Sequence, residues 1–151
     1  MEKIIIYTDG ACSGNQNSEN IGGYGAVLMY KDYKKEIFGG EKNTTNNRME
    51  LKACIEALKM LKRNDIPIDV HTDSSYLCNC INQKWYDKWR MNGWKNSKKE
   101  PVENKELWVE LLNLVESFKN IKFIKVKGHS GNEYNELADA LANKGMKEMA
   151  K

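Results

Sequence analysis

The sequence predicts an α/β domain in which a three-stranded antiparallel meander leads, through a helix, into a parallel strand. Three observations carry that expectation. Residues 4–7 (Ile4, Ile5, Ile6, Tyr7) are an apolar run with almost no polar relief, the pattern of a central strand covered on both faces, and the strand ends at Asp9. Residues 44–62 set Met49, Ala53, Ala57 and Met60, with Leu51, Cys54, Leu58 and Leu61, on a helical apolar face. Residues 68–73 then repeat the opening: Ile4-x-Ile6-Tyr7-Thr8-Asp9 lines up with Ile68-x-Val70-His71-Thr72-Asp73. A strand, helix and strand in that order normally make a right-handed crossover to a parallel neighbour, which would bring Asp9 and Asp73 to one edge of the sheet.

The other elements follow in order. Gly22, Gly23 and Gly25 lead into a second strand at 26–30, with glycines where a sheet bends or bulges, and a charged turn at 31–35 precedes a third at 36–41. Thr44, Thr45, Asn46 and Asn47 offer capping side chains to the first helix and place Glu50 in its first turn. A short helix at 74–82, capped by Asp73 or Ser74, follows the fourth strand. Pro101 and Asn104 open a helix with Leu107, Trp108, Leu111, Leu112, Val115 and Phe118 inward; residues 121–126 give a fifth strand, and 133–147 a last helix carrying Asp139.

At 151 residues the chain has the size of one domain, read as spanning 1–151. Its longest apolar run falls far short of the ~20 residues of a membrane span, and its start lacks the apolar stretch and cleavage site of a secretory leader. Cys12, Cys54, Cys78 and Cys80 are too sparse for a disulfide scaffold, and Cys78-x-Cys80 is too tight for the usual zinc pairing, so reduced thiols in a cytoplasmic protein are expected. The net charge is only +3, but it is concentrated. Residues 84–99 hold Lys84, Lys88, Arg90, Lys95, Lys98 and Lys99 against the single acid Asp87. A basic cluster on an otherwise slightly acidic domain is the footprint of a polyanion docked at one place.

Asp9, Glu50, Asp73 and Asp139 form the candidate site. Singly, Asp73 reads equally as a helix cap, Glu50 as a carboxylate favoured by the helix dipole, and Asp139 as half of a salt bridge. As a convergent set they would repel one another and protonate unless a cation offset them. Oxygen donors suit Mg²⁺ or Mn²⁺. Two such ions roughly 3.5–4 Å apart activate water on one side of a phosphodiester and hold the leaving oxygen on the other.

The motifs Y-T-D-G-A-C-S-G-N at 7–15, G-G-Y-G-A at 22–26, T-T-N-N-R-M-E-L at 44–51, T-D-S at 72–74, the Trp85, Trp89, Trp94 spacing, and V-K-G-H-S-G followed by N-E-x-A-D-x-L-A within 126–142 resemble bacterial type 1 ribonuclease H, in order and over nearly the whole chain. The resemblance implies a ribonuclease H fold: a five-stranded mixed sheet, three antiparallel strands followed by two parallel ones, flanked by helices. It implies endonucleolytic hydrolysis of the RNA strand of an RNA–DNA hybrid, leaving 5′-phosphate and 3′-hydroxyl ends, by a monomer that uses Mg²⁺ with Mn²⁺ as a substitute. Asp9, Glu50, Asp73 and Asp139 match the family's metal-binding carboxylates, and His129 matches a histidine thought to assist proton transfer or product release. A loop histidine is ordinarily only solvated; its pKa near 6.5 suits it to proton exchange in this position. His71, mid-strand, reads as structural.

Telling RNA from DNA requires reading a 2′-hydroxyl, to which amide side chains both donate and accept. Asn15, Asn46 and Asn47 match minor-groove positions of the family, with Thr45 beside them as a further substrate contact; Asn46 also reads as a cap. Trp85 and Trp89, one helical turn apart, read mainly as packing, while Trp85 with Lys84, Lys88, Arg90, Lys95, Lys98 and Lys99 matches the family's basic protrusion in character. Three departures from the pattern stand out: a longer loop at 16–21 without the usual proline, Asn43 where many members carry a phosphate-holding arginine, and Glu100 within the basic run. Two rival readings remain at this point, another nuclease of the same fold acting on DNA and a hybrid-binding module without catalysis. The basic protrusion and the 44–48 segment weigh against the first. The intact acid set weighs against the second.

Overall fold

In a computed structural model, residues 2–13, 20–127 and 132–150 are described. They form a five-stranded mixed sheet in the order β3-β2-β1-β4-β5, built from β1 (Ile4–Cys12), β2 (Ile21–Tyr30), β3 (Tyr33–Lys42), β4 (Ile68–Thr72) and β5 (Ile121–Lys125). β1 pairs antiparallel with β2 and β2 with β3, whereas β1, β4 and β5 run parallel. The helices are α1 (Asn46–Lys59), α2 (Ser75–Asn82), α3 (Trp85–Met91), α4 (Lys105–Ser117) and α5 (Glu133–Met149). The mixed sheet that the resemblance implied is therefore present. The strand echo is the register itself: Ile4 pairs with Ile68 and Thr8 with Thr72, which leaves Asp9 and Asp73 side by side where that pairing and β4 end, while β1 runs past the expected end at Asp9 to Cys12 along β2.

Alternation along β1 divides the core between two faces. Ile4 and Ile6 pack with α1, α2 and α4, around Leu51, Ile55, Val70, Leu77, Trp108 and Leu111. Tyr7, together with Val27 of β2, packs on Ala138 and Leu141 of α5. Trp108 is fully buried and donates its indole N–H to the Tyr76 hydroxyl at 2.7 Å, the partner that a buried indole needs. Among the described residues no helix is long and apolar enough to cross a membrane.

Several expected boundaries move. The glycines expected before β2 lie inside it, and β3 extends from residue 33 rather than 36, because a tight turn lets the whole hairpin pair from Tyr30↔Tyr33 to Ile21↔Lys42. α1 stops at Lys59, so Met60 faces outward and is 38 % exposed. The cap of α1 is Thr45, whose hydroxyl accepts from the Arg48 N–H at 3.1 Å, not Asn46, which is the first helical residue. Glu50 is consequently the fifth residue of α1 and lies beyond its first turn. α2 is capped by Ser74, not Asp73. Asp73 is left free for another use.

The start of α1 is tied to the sheet by Glu41 of β3. Arg48 Nε and Lys52 Nζ each lie 2.9 Å from its carboxylate, and Arg48 also reaches Glu106 of α4 at 2.6 Å. Burial works against the Glu41 charge, but the hydrogen bonds from Arg48 and Lys52 outweigh it and pull its pKa down to about 2. A depressed acid stabilises the fold above its unfolded pKa, and that stabilisation fades as pH falls through the folded value. Glu41→Gln is thus expected to cost roughly 2 kcal/mol at pH 7. The gap between the two melting temperatures should narrow as pH drops from about 4.5 towards 3; a gap that does not change with pH would show that the charge is immaterial.

Candidate active site

The site is built where β4 ends and β1 continues along β2 alone. Asp9 is 6 % exposed, and its Oδ1 accepts from the Gly10 N–H at 2.9 Å. Gly10 also governs how near α1 comes, since a Cβ there would lie 2.6 Å from the Glu50 nitrogen and 2.8 Å from the Met49 Cβ. Only a residue without a side chain lets the helix lie flush on the strand and deliver Glu50 beside Asp9. Ligand atoms of Asp9, Glu50 and Asp73 all fall within 4.8 Å of one another. Asp139, seventh in α5, approaches Asp9 from the opposite face of the sheet and lies outside the three-carboxylate group.

These acids pay heavily for proximity. Burial, then the charge of Asp73 and the hydrogen bond with Asp139, raise the Asp9 pKa to about 8 against the opposing Gly10 N–H. Burial and the charges of Asp9 and Asp73 likewise hold Glu50 well above the usual carboxylate range. Its Oε1 is buried without a hydrogen-bond partner. A buried, unpartnered carboxylate oxygen facing two more carboxyls is what a hard divalent cation satisfies, and the donor set fits one.

Around the acids, Thr45 and Asn46 are exposed and Asn47 half-buried at the start of α1. Asn15 and His129 lie outside the described residues. On the far side, α3 stands on Trp89, which packs edge-on against Trp108 and tilted against Trp94. A groove of about 480 Å³ beside it is lined by Lys84, Trp85, Lys88 and Lys95. One expectation is corrected here: Trp85 is 39 % exposed and donates its indole N–H to Gln83, so it borders the groove instead of packing inward. Arg90 makes a two-pronged pair with Glu116 at 2.9 and 3.1 Å and lies over the Tyr86 ring, with both partners of the pair still open to solvent. Lys98 and Lys99 are exposed, beyond the groove. His71 stacks on Tyr7 with ring centroids 4.5 Å apart, in keeping with a structural part. The close approach at Gly10 and the Glu41 tie escaped the sequence reading, although the glycine after Thr8-Asp9 was a visible signal for the first.

The family model for RNase H matches residues 1–147. The chain belongs to the RNase H family. It is 55 % identical over 148 residues to "Ribonuclease H" of Clostridium botulinum (strain Hall), an alignment covering 98 % of both chains. With "Ribonuclease H" of Caldanaerobacter subterraneus subsp. tengcongensis it shares 55 % over 150 residues, covering 99 % of this chain and 95 % of that one. With that of Acetivibrio thermocellus it shares 54 % over 151 residues, covering 100 % and 99 %. Among solved structures it resembles LC9-RNase H1, a type 1 RNase H with the type 2 active-site motif, with a TM-score of 0.84 and 30 % identity over 97 % of this chain and 73 % of that one. The RNase H family acts on RNA–DNA hybrids and generally uses divalent metal ions, and the chain is accordingly an RNA-cutting endonuclease.

Proposed function

We propose that this RNase H cuts the RNA strand by holding two Mg²⁺ ions between Asp9, Glu50, Asp73 and Asp139, leaving 5′-phosphate and 3′-hydroxyl ends. The observation that carries this reading is the closure of three carboxylates to within 4.8 Å, with one Glu50 oxygen buried and unpartnered. Bound there, the ions supply an activated water and neutralise charge on the leaving oxygen, and Mn²⁺ substitutes. Asp9, between Glu50 on one side and Asp139 on the other, would be a ligand to the bound cations. Its raised pKa means that it gives up a proton as the cation binds. His129 exchanges a proton near neutral pH and helps the product leave. Asn15, Thr45, Asn46 and Asn47 contact the minor groove, with amides matched to the 2′-hydroxyls that mark the RNA strand. Lys84, Lys88, Arg90 and Lys95, with Lys98 and Lys99 beyond them, hold the backbone of the DNA strand while Trp85 borders their groove. We read residues 1–151 as one catalytic domain working as a monomer, and its four free thiols suit a reducing, cytoplasmic setting.

The deciding experiment is cleavage of an end-labelled RNA–DNA hybrid with Mg²⁺ or EDTA, beside single-stranded RNA and duplex DNA. Expected is Mg²⁺-dependent cutting of the RNA in the hybrid alone, with an apparent affinity that falls linearly in log–log terms as salt rises. Binding without cutting, after Mn²⁺ has also been tried, would overturn the catalytic assignment of the acids; cutting of duplex DNA would overturn the substrate.

A further inference from the structure

Asn20, from the departing 16–21 stretch, and Asn43, another departure from the family pattern, meet in the folded chain. Asn20, at the end of that loop, turns its side-chain amide onto the peptide groups of Thr44. Its Nδ2 donates to the Thr44 carbonyl at 2.8 Å and its Oδ1 accepts from the Thr44 N–H at 2.9 Å. Its own carbonyl accepts from the Asn43 N–H at 2.9 Å. Asn43 adopts a left-handed backbone with φ of 55°, a conformation that asparagine tolerates better than most residues with a Cβ. Asn20 is in turn held to β1, because Ser13 N–H donates to the Ile21 carbonyl at 2.9 Å and Ile21 N–H donates to the Ser13 hydroxyl at 3.2 Å. Thr44 is 3 % exposed, so its peptide groups have little water to turn to if the amide is lost.

The next residue in the chain is Thr45, the cap of α1, followed by Asn46 and Asn47. We propose that Asn20 is a positioning residue for recognition of the RNA strand, locking the entry to α1 so that Thr45, Asn46 and Asn47 are presented in one fixed arrangement. This rests on the reading of those three as substrate contacts. Asn20 touches no substrate and acts through the Thr44 backbone. Groups pre-ordered before binding spare the complex the entropy of ordering them, so the effect appears in affinity for the hybrid rather than in the chemical step.

The test compares Asn20→Ala, Asn20→Asp and Asn47→Ala with the native chain, in steady-state cleavage of a short hybrid and in EDTA-supported binding to the hybrid and to the all-DNA duplex of the same sequence. Asn20→Ala should raise KM about tenfold with kcat kept within about twofold, and should shrink the preference for hybrid over duplex DNA. Asn20→Asp keeps the acceptor for the Thr44 N–H and loses the donor, so it should fall between Ala and Asn; it carries the test alone if the alanine variant fails to fold. A hybrid preference unchanged in the Asn20 variants but lowered by Asn47→Ala overturns the positioning role and leaves the contact reading standing. A preference unchanged in all three removes the contact reading and the proposal with it. A kcat loss at constant KM would make Asn20 part of the support of the carboxylates and also overturns it.

Discussion

Asp9→Asn is expected to abolish cutting, by at least about a thousandfold, while making the metal-free protein more stable. Activity falls because the variant keeps the shape of the side chain but removes the charge shared between both sides of the cluster. Stability rises because the native acid is held in the wrong place for a lone charge. Its folded pKa is raised to about 8, chiefly by burial and then by Asp73, whereas an unfolded aspartate titrates near 3.9. Between those values the folded state holds a proton that the unfolded state has released, so stability must fall as pH rises from about 4 to 8 and level off above. Asparagine has no such slope. The advantage of the variant should therefore grow over that window to roughly 2 kcal/mol or more, or about 5 °C or more in Tm for a chain of this size. Millimolar Mg²⁺ should narrow the gap by stabilising the native chain alone. Melting curves at pH 5 and pH 8 with EDTA or Mg²⁺, beside the hybrid assay, check every part. Near-native cleavage by the variant would sink the metal assignment, and a stability gap that does not change with pH would sink the account of the buried acid.

That Asp9 and Asp73 meet was legible because the signal is local twice over. Two short strands carry the same pattern, and parallel pairing in register is the one arrangement that buries both alike. What was illegible depends on where a chain segment lands. Four polar residues in a row at the entry to α1 all suit a cap, so choosing Thr45 over Asn46 depends on helix geometry, and with it the place of Glu50. The pairing of Arg90 with Glu116, twenty-six residues away on α4, is one that no local count of lysines and arginines sees. Trp85 and Trp89 share a helical face on paper, but α3 is seven residues long and rests on the core through Trp89, leaving Trp85 at its rim. The sharpest case is Gly23 and Gly25 of β2, which looked like bends and are instead a bearing surface for α5.

Gly25→Val tests that surface and should be strongly destabilising. Gly25 pairs with Asp9 across β1 and β2, beneath the stretch of α5 that carries Asp139. A Cβ on it would lie 2.5 Å from the Leu141 Cβ, 2.6 Å from the Ala142 nitrogen and 2.7 Å from the Ala138 carbonyl oxygen. Two of those atoms belong to helix backbone, which no rotamer change can move aside, so α5 itself must lift. A branched side chain asks for more room still. The expected cost is about 3 kcal/mol or more, a fall of roughly 6–12 °C in Tm. Because α5 brings Asp139 to Asp9, the folded fraction should also cut hybrid more slowly, a loss that survives correction for unfolded protein. Gly93→Ala is the control. It sits at φ of +67° with nothing within 4 Å of its would-be Cβ, so it should lose only about 1 kcal/mol for the backbone conformation and leave cleavage untouched. If Gly25→Val melted no lower than Gly93→Ala, close packing of α5 on β2 would not be what sets Asp139 against Asp9. If it melted lower but cut at the native rate per folded molecule, the helix would be able to lift without taking its carboxylate away, and Asp139 would be tolerant of position where Asp9 is not.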